Sequence, residues 1–588
     1  MLDIIYFNFL SSIFVFIYSQ KSILMRLVLF FLLFCSVLCA QREYPKNDFI
    51  SPLDIPLFLS GNFGELRSNH FHAGLDFKTQ QKEGLNVFAV ADGYVSRIKI
   101  SNFGYGKAIY ITHQNGFTTV YGHLSKANST IQNYIETIQY REKSYEIETF
   151  PNPNELLVKQ GEIIAYSGNS GGSGGPHLHF EIRDSKTENI INPMFFNFDS
   201  KILDTKTPTI TSLYVYPIGE NSLVNGSQLP ISVGLSLQKD GSFMAEKILA
   251  SGKIGFGFSA YDSFDYSYTK NGLYKVQTFA NGKPFFGYQF DTFSFDESKL
   301  INGLLDYPRL IKTGVRIQKL FMINPYPFSQ LNYDKNNGIL DVLPNLSTAF
   351  RIEISDFKNE PIAINVPIVY VNSNPKILKK VVKAPYYLKT KIENSYEKDN
   401  ISVFVPANSF YEDCNLNFDV KNDTLTFQDE TFALQNSIII NFLDTISIAS
   451  DREKMFIALI DDKKLKYIAT KIKKNEFIAY TKNLGKFVLA KDTIAPRITP
   501  INIIKGALLL KERNIRFMIS DEFSGIDKIN GYLNEKWVLF EYDFKTKKIV
   551  HNFNSEFLVD GKNDLKIEVS DNVGNSTIFE TYFYRKKQ

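Results

Sequence analysis

From about residue 48 the chain runs as short segments in which apolar and polar positions alternate, separated by glycine. LNVFAVADGYVSRIKI (85–100), KAIYITHQNGFTTVYGHL (107–124), GEIIAYSGNSGG (161–172) and HLHFEI (177–182) are the main ones, with the alternation clearest in YVSRIKI and AIYITH. A period of two puts successive side chains on opposite faces of a strand. Strands of this length with glycine at their ends predict an antiparallel β domain over roughly 48–200. Residues 126–158 interrupt it: a helix-compatible stretch around Ile131 to Tyr140 is followed by a Pro/Asn-rich turn. This reads as an inserted loop or small subdomain.

Beyond about residue 205 a second texture takes over. FRIEISDFKNE (350–360), IRFMISDEFSG (515–525) and LKIEVSDNVGN (565–575) each alternate, end in Ser-Asp and enter a turn, and GKIGFGFSAYDSFD (252–265) is a looser version. In the last of the three, Leu565, Ile567 and Val569 share one face while Lys566, Glu568 and Ser570 share the other. An Asp that bonds the backbone of the following turn suits the end of a β-sandwich strand. The prolines of DTIAPRITP (492–500) mark a boundary.

The resulting expectation is a mainly β protein. It divides into a segment 1–40, a β domain 41–203, a β-sandwich region 204–372, a β-sandwich domain 373–491 and a C-terminal Ig-like β-sandwich 492–588. A chain of 588 residues calls for roughly three to five domains.

The first forty residues differ in kind. MRLVLFFLLFCSVLCAQ, from Met25, has a basic start at Arg26, an apolar run and a small residue at Ala40, the layout of a cleaved export signal, with Met25 as the expected true start. An uncleaved membrane anchor is the alternative. Neither Cys35 nor Cys39 follows the small residue that a lipoprotein signal needs. Only Cys414 lies outside this segment, so a mature chain has no intramolecular disulfide and no cysteine cluster for a metal. The composition, 44% apolar with 51 Phe and 32 Tyr, is that of a folded chain. A net charge of +4 without a Lys/Arg block argues against nucleic acid as a partner.

Six of the seven histidines lie between residues 70 and 179. HFHAGLDF places His72 and Asp76 four apart around a glycine, and HLHF places His177 and His179 on one face of a strand. Two imidazoles and one carboxylate suit zinc and leave a coordination position open, as catalytic zinc requires. GNSGGSGG lacks the Gly-Lys-Ser/Thr ending of a phosphate-cradling loop. Arg67 reads either as a contact for a substrate carboxylate or as a surface salt bridge. His113 is a neighbour of the site behind its ligands or an exposed strand end, and His70 belongs to the rim or stands behind the ligands.

GELRSNHFHAGLDF, then VFAVADGYVSRIKISNFGYGKAIYITHQNGFTTVYGHLS, then GEIIAYSGNSGGSGGPHLHFEI resemble, in that order, the motifs of the M23 metallopeptidases, the lysostaphin/LytM-type peptidoglycan endopeptidases. The resemblance covers about residues 60–195. It implies an M23-type peptidase domain in which His72, Asp76 and His179 bind Zn2+ while His123 and His177 are catalytic. The stretch between HLS and GEIIAYSG is longer than the family's connection.

By this resemblance the chain is an exported zinc endopeptidase acting on peptidoglycan stem peptides and cross-links. It would work in the periplasm, at the cell envelope or outside the cell, with membrane or envelope association through the N-terminus. Two other classes stay open: a non-cleaving peptidoglycan-binding or hydrolase-activating protein, and a zinc peptidase acting on glycine-rich proteins.

Overall fold

The computed structural model describes residues 44–586, apart from 325–326, 359, 380–383, 463 and 554–555. The expected signal at 1–40 lies outside the described residues. The chain separates between Asn47 and Asp48, and everything below concerns the unit from Asp48 onward.

Its first part is built on an antiparallel sheet whose order is β1 (Leu59–Gly61), β2 (Leu75–Lys78), β11 (His177–Asp184), β6 (Phe117–Gly122), β5 (Lys107–His113), β4 (Gly93–Ile100) and β8 (Ile147–Thr149). A smaller sheet joins β3 (Asn86–Phe88), β10 (Ile163–Tyr166) and β7 (Lys126–Ala127). Apolar positions picked out by the alternation, such as Val95, Ile98 and Ile111 on the large sheet and Val87 and Ile164 on the small one, are fully buried.

Strand β11 is central, and its interior residues are buried on both faces. Leu178, Phe180 and Ile182 occupy one face and His179, Glu181 and Arg183 the other. A buried polar row is tolerable only when its members bond one another. They do: His179 Nε2 lies 2.9 Å from Glu181 Oε1, and Arg183 Nε donates to Glu181 Oε2 at 2.7 Å.

Residues 126–158 are woven into the fold. After β7 comes helix α1 (Ser129–Glu142), capped by the Asn128 side chain and burying Ile131, Ile135 and Ile138, four residues longer than the sequence stretch suggested. Then β8 and β9 (Leu157–Val158) pair with β4, while β7 pairs with β10. The segment thus extends the sheets at the β4 edge. It does not hang over the site as a loop.

The rest of the described residues are mainly β, as the alternation predicted. Residues 209–370 form a twelve-stranded sheet system in which Thr209–Val224 pairs with Ile248–Tyr261 and Thr348–Ser355 with Ile362–Tyr370. Two five-stranded sheets over 394–491 close on one apolar core, including Val403, Ile440 and Phe477 from one and Leu425, Phe427 and Phe487 from the other. A four- and a five-stranded sheet over 497–585 do the same around Phe517, Ile549, Ile567 and Phe583.

Two of these later regions touch the first. Thr292–Phe293 adds a strand to β12 (Ile190–Ile191), and Phe290, Phe293 and Phe328 surround the ring of Phe71 at 5.1–5.8 Å. From the last module, Phe544 packs on Phe103 at 4.6 Å, Phe557 stacks on Tyr140 at 5.3 Å, and Glu541 pairs with the half-buried Lys107 at 2.6 Å.

Candidate metal centre

Register brings the site together. His179 on β11 sits opposite Asp76 on β2 and, on its other side, opposite Gly122, the residue before His123. His72 reaches the same point from the chain entering β2. The intervening Gly74 has a steric reason: a Cβ there would lie 2.2 Å from the Phe180 carbonyl oxygen on β11.

Three atoms converge. His72 Nε2 is 3.0 Å from Asp76 Oδ1, His179 Nδ1 is 2.9 Å from the same oxygen, and the two nitrogens are 3.1 Å apart. The far nitrogens fix the tautomers: His72 Nδ1 donates to the Asn62 carbonyl at 2.8 Å, and His179 Nε2 donates to Glu181. Each imidazole therefore turns its other nitrogen toward Asp76, a lone pair for a metal once any proton there has left. Two neutral imidazoles and a carboxylate, each ring oriented by an oxygen behind it, are the donor set and support that a divalent zinc ion takes.

Electrostatics reinforce this. Burial works against an ionised Asp76, but His72 and hydrogen bonds from His177 and His179 outweigh it and hold the carboxyl well below its usual range. Burial would likewise lower the His179 pKa, yet bonding to Asp76 and Glu181 lifts it to about 9. A metal ion entering here displaces that proton. Glu181 is kept ionised, its pKa near about 2, because Arg183 overcomes the cost of burial.

His123 and His177 flank the three donors. His123 takes a left-handed backbone (φ 59°), rare outside glycine, and donates from Nδ1 to the Ser170 carbonyl at 2.8 Å. Burial, helped by repulsion from His179 and His177, drops its pKa to about 3, so the ring is neutral. Its centroid lies 4.7 Å from that of His177. His177 donates from Nδ1 to the Gly175 carbonyl at 2.8 Å, leaving Nε2 3.4 Å from Asp76 Oδ1.

The five residues singled out in the sequence thus meet at one place, and the other two histidines of the domain do not join them. His70 is exposed and bonds the Ser68 carbonyl, a rim position. His113 is buried between the Asp92 carbonyl and Thr119 Oγ1, a structural residue of β5. Arg67 makes salt bridges, as one of its two readings had it, but turned inward: its Nη2 bonds Asp76 Oδ2 at 3.0 Å and Glu65 at 3.1 Å, so it braces the oxygen opposite the one facing the histidines.

Sequence reasoning missed four contributors. Glu181 was visible only as the next polar position of the HLHFEI alternation. Tyr105 stacks on the His179 ring at 4.9 Å and hydrogen-bonds Glu181. Tyr266 and Tyr268 come from 190 residues downstream of Asp76 and line, with Asp76, His177, Phe58 and Arg67, a groove of about 660 Å³. Nothing local in the sequence couples them to it.

Comparison with known proteins bears on these residues directly. Peptidase family M23 matches residues 70–139 and 153–193, which include all five converging residues. The chain carries an M23-family metallopeptidase domain. The unmatched gap falls on 140–152, between the end of α1 and β9, so the M23 domain is extended where the last module docks. A Zu5-like domain matches residues 385–492.

Among curated proteins, the M23 domain is similar to the DD-carboxypeptidase/endopeptidase Mpg of Neisseria meningitidis serogroup B, 34% identical over 118 residues, 20% of this chain and 21% of that one. It is also similar to the cell division protein DipM of Caulobacter vibrioides, 28% identical over 142 residues, 24% of this chain and 19% of the other. The chain spans about a fifth of the length of the curated relatives it matches. Among solved structures, the catalytic domain of lysostaphin from Staphylococcus simulans matches at 26% identity, covering 24% of this chain and 91% of its own with a TM-score of 0.18. A zinc-containing peptidase from Vibrio cholerae matches at 26%, covering 26% of this chain and 40% of its own with a TM-score of 0.19.

Proposed function

We propose that this protein is an exported zinc endopeptidase that hydrolyses amide bonds in the peptide cross-links of peptidoglycan, with His72, Asp76 and His179 holding the metal and His123 and His177 catalytic. The observation that carries the reading is the convergence of His72 Nε2, Asp76 Oδ1 and His179 Nδ1 within 3.1 Å, with two further oriented imidazoles beside them. The substrate class is supported by the relatives, a DD-carboxypeptidase/endopeptidase and a cell division protein. Export is supported by the apolar, signal-like segment from Met25. Among the described residues no helix is long and apolar enough to cross a membrane.

When bound, zinc supplies a Lewis acid that polarises a carbonyl and makes water acidic near neutral pH. The chain supplies the rest. His123 and His177 each have Nδ1 committed to a carbonyl, so each presents a basic Nε2. One ring can take a proton from the attacking water at Nε2 and pass it to the leaving amine, and the other, when Nε2 also carries a proton, can donate to the oxyanion of the tetrahedral intermediate. Burial keeps the His123 ring neutral, with its Nε2 lone pair unprotonated. No nucleophilic side chain takes part, so no acyl-enzyme forms.

The test is to incubate the mature protein, from residue 41, loaded with zinc, with isolated peptidoglycan and to analyse soluble products by mass spectrometry. Cross-linked dimers should fall and monomers rise, in neither the His177→Ala variant nor a chelated sample. Unchanged sacculi with a folded, zinc-loaded protein would overturn the reading, as would a trapped acyl-enzyme.

A further inference from the structure

Two distant parts of the chain repeat one design. Asp204-Thr-Lys-Thr-Pro208 and Asp492-Thr-Ile-Ala-Pro496 share the pattern D-T-x-x-P, and each stands just ahead of a strand. In the first, Thr209 then pairs with Tyr261, the residue before Asp262; in the second, Arg497 pairs with Ser520, the residue before Asp521. The third member ends a strand reading I-E-I-S-D at Asp356 and I-E-V-S-D at Asp571. Three aspartates from three separate loops therefore meet at equivalent places in two modules, and in each trio the carboxylate oxygens lie within 4.8 Å of one another.

Their surroundings are not those of a solvated acidic surface. Asp204, Asp262 and Asp356 are all buried, as are Asp492 and Asp571. Most of these carboxylates spend one oxygen on a turn amide: Asp262 Oδ1 takes Ser263, Asp356 Oδ1 takes Lys358, Asp492 Oδ1 takes Ile494 and Asp521 Oδ1 takes Phe523. Asp262 Oδ2, on a residue with no solvent exposure, has no hydrogen-bond partner. In the second module the orphan is Ser524 Oγ, on a residue 2% exposed whose own amide donates to Asp492 Oδ2. Burying like charges with an unpaired oxygen is costly unless something positive binds there.

Two lysines stand beside the first trio, Lys206 Nζ donating to the Phe264 carbonyl and Lys358 Nζ to that of Ile202.

We propose that each aspartate trio binds one calcium ion. The donors are all oxygen, without histidine or cysteine, which selects a hard cation. Two oxygens held at about 2.4 Å from one ion can be at most about 4.8 Å apart, and one carboxylate oxygen from each aspartate of a trio lies within that limit of the others. Donors from three loops at irregular angles suit calcium, which accepts six to eight oxygens in flexible geometry, better than magnesium, which demands an octahedron. Asp204 and Asp492 lie in the segments that lead into their modules, so each ion would pin a linker to two loops of the module that follows it.

The full-length, zinc-loaded chain in calcium-free buffer is titrated calorimetrically with CaCl2 up to about 10 mM, above the range in which extracellular modules bind. Two saturable calcium sites per chain are expected. Asp262→Asn should remove one, Asp521→Asn the other, and the double variant both. Asp356→Asn and Asp571→Asn interrogate each site through a second ligand. These changes keep side-chain shape and relieve repulsion, and a cooperative melt verifies folding. Calcium should raise the wild-type Tm by roughly 2–4 °C and leave the double variant unmoved. Absence of saturable binding, full binding by the double variant, or magnesium binding as tightly as calcium would each overturn the proposal.

Discussion

Ser298 and Phe71 clasp each other through both backbone groups of Phe71. The Phe71 N–H donates to Ser298 Oγ at 2.9 Å and the serine hydroxyl donates back to the Phe71 carbonyl at 3.2 Å, across 227 residues of sequence. Phe71 directly precedes His72, so a distant β module fixes the segment that presents one of the three converging donors.

Ser298→Ala leaves a buried amide without a partner, which costs about 1–3 kcal/mol. Thermal melting should drop accordingly, and zinc affinity should weaken with it because His72 is less well held. Competition with a coloured chelator measures the second effect. Unchanged zinc affinity would mean that the clasp serves folding alone.

Glu181 orients His179 through Nε2, and such supports typically contribute 10–100-fold to metal affinity. Glu181→Gln keeps the shape and removes the charge that favours donation from Nε2. Zinc affinity should fall in that range, and the melting temperature of the zinc-saturated protein should drop as well, because Arg183 loses the charge of its buried partner.

Much of this centre was legible beforehand because its spacing is set by local geometry. His72 to Asp76 spans one glycine-bearing entry to a strand, and His177 to His179 spans one pleat. The β class was legible for the same reason, the period of two. What was hidden depends on tertiary register. Arg67 was read as a surface or substrate-facing group because a sequence cannot reveal that its guanidinium lies 3.0 Å from Asp76 Oδ2. Residues 126–158 read as an inserted loop because their strands are two or three residues long, too short to carry a pattern. Tyr266 and Tyr268 fall inside the stretch assigned to the β-sandwich region 204–372, with nothing to link them to the site.

Those tyrosines are 75% and 103% exposed, on a loop bolted to the domain through Ser267 Oγ to the Leu59 carbonyl and Lys78 Nζ to Ser267 Oγ. Replacing either by Ala should raise KM for polymeric substrate by about two- to tenfold, the worth of one aromatic contact, and spare kcat. Steady-state kinetics on solubilised peptidoglycan separates the two. A fall in kcat alone would assign the loop to positioning the histidines.

Asp262 makes stability depend on pH with a defined sign. Its folded pKa of about 8 lies above the ordinary 3.8, so the folded state holds the proton more tightly. That contribution is fully present at low pH and is lost as pH rises through the folded value. Calcium-free, zinc-loaded protein should therefore melt at progressively lower temperature between pH 5 and pH 8. Saturating calcium or Asp262→Asn should flatten the slope, and melts at four pH values check it.

Lys545, on the last module, donates to the backbone carbonyls of Asn169 and Ser173, in the glycine loop just ahead of His177. With the Phe103–Phe544 and Tyr140–Phe557 contacts, this fastens the end of the chain back onto its beginning, a ring closed without a covalent bond. A single proteolytic nick anywhere between the two would open the backbone yet leave both fragments travelling together on a sizing column. Only when that seam gives way would the peptidase domain and the last module part company.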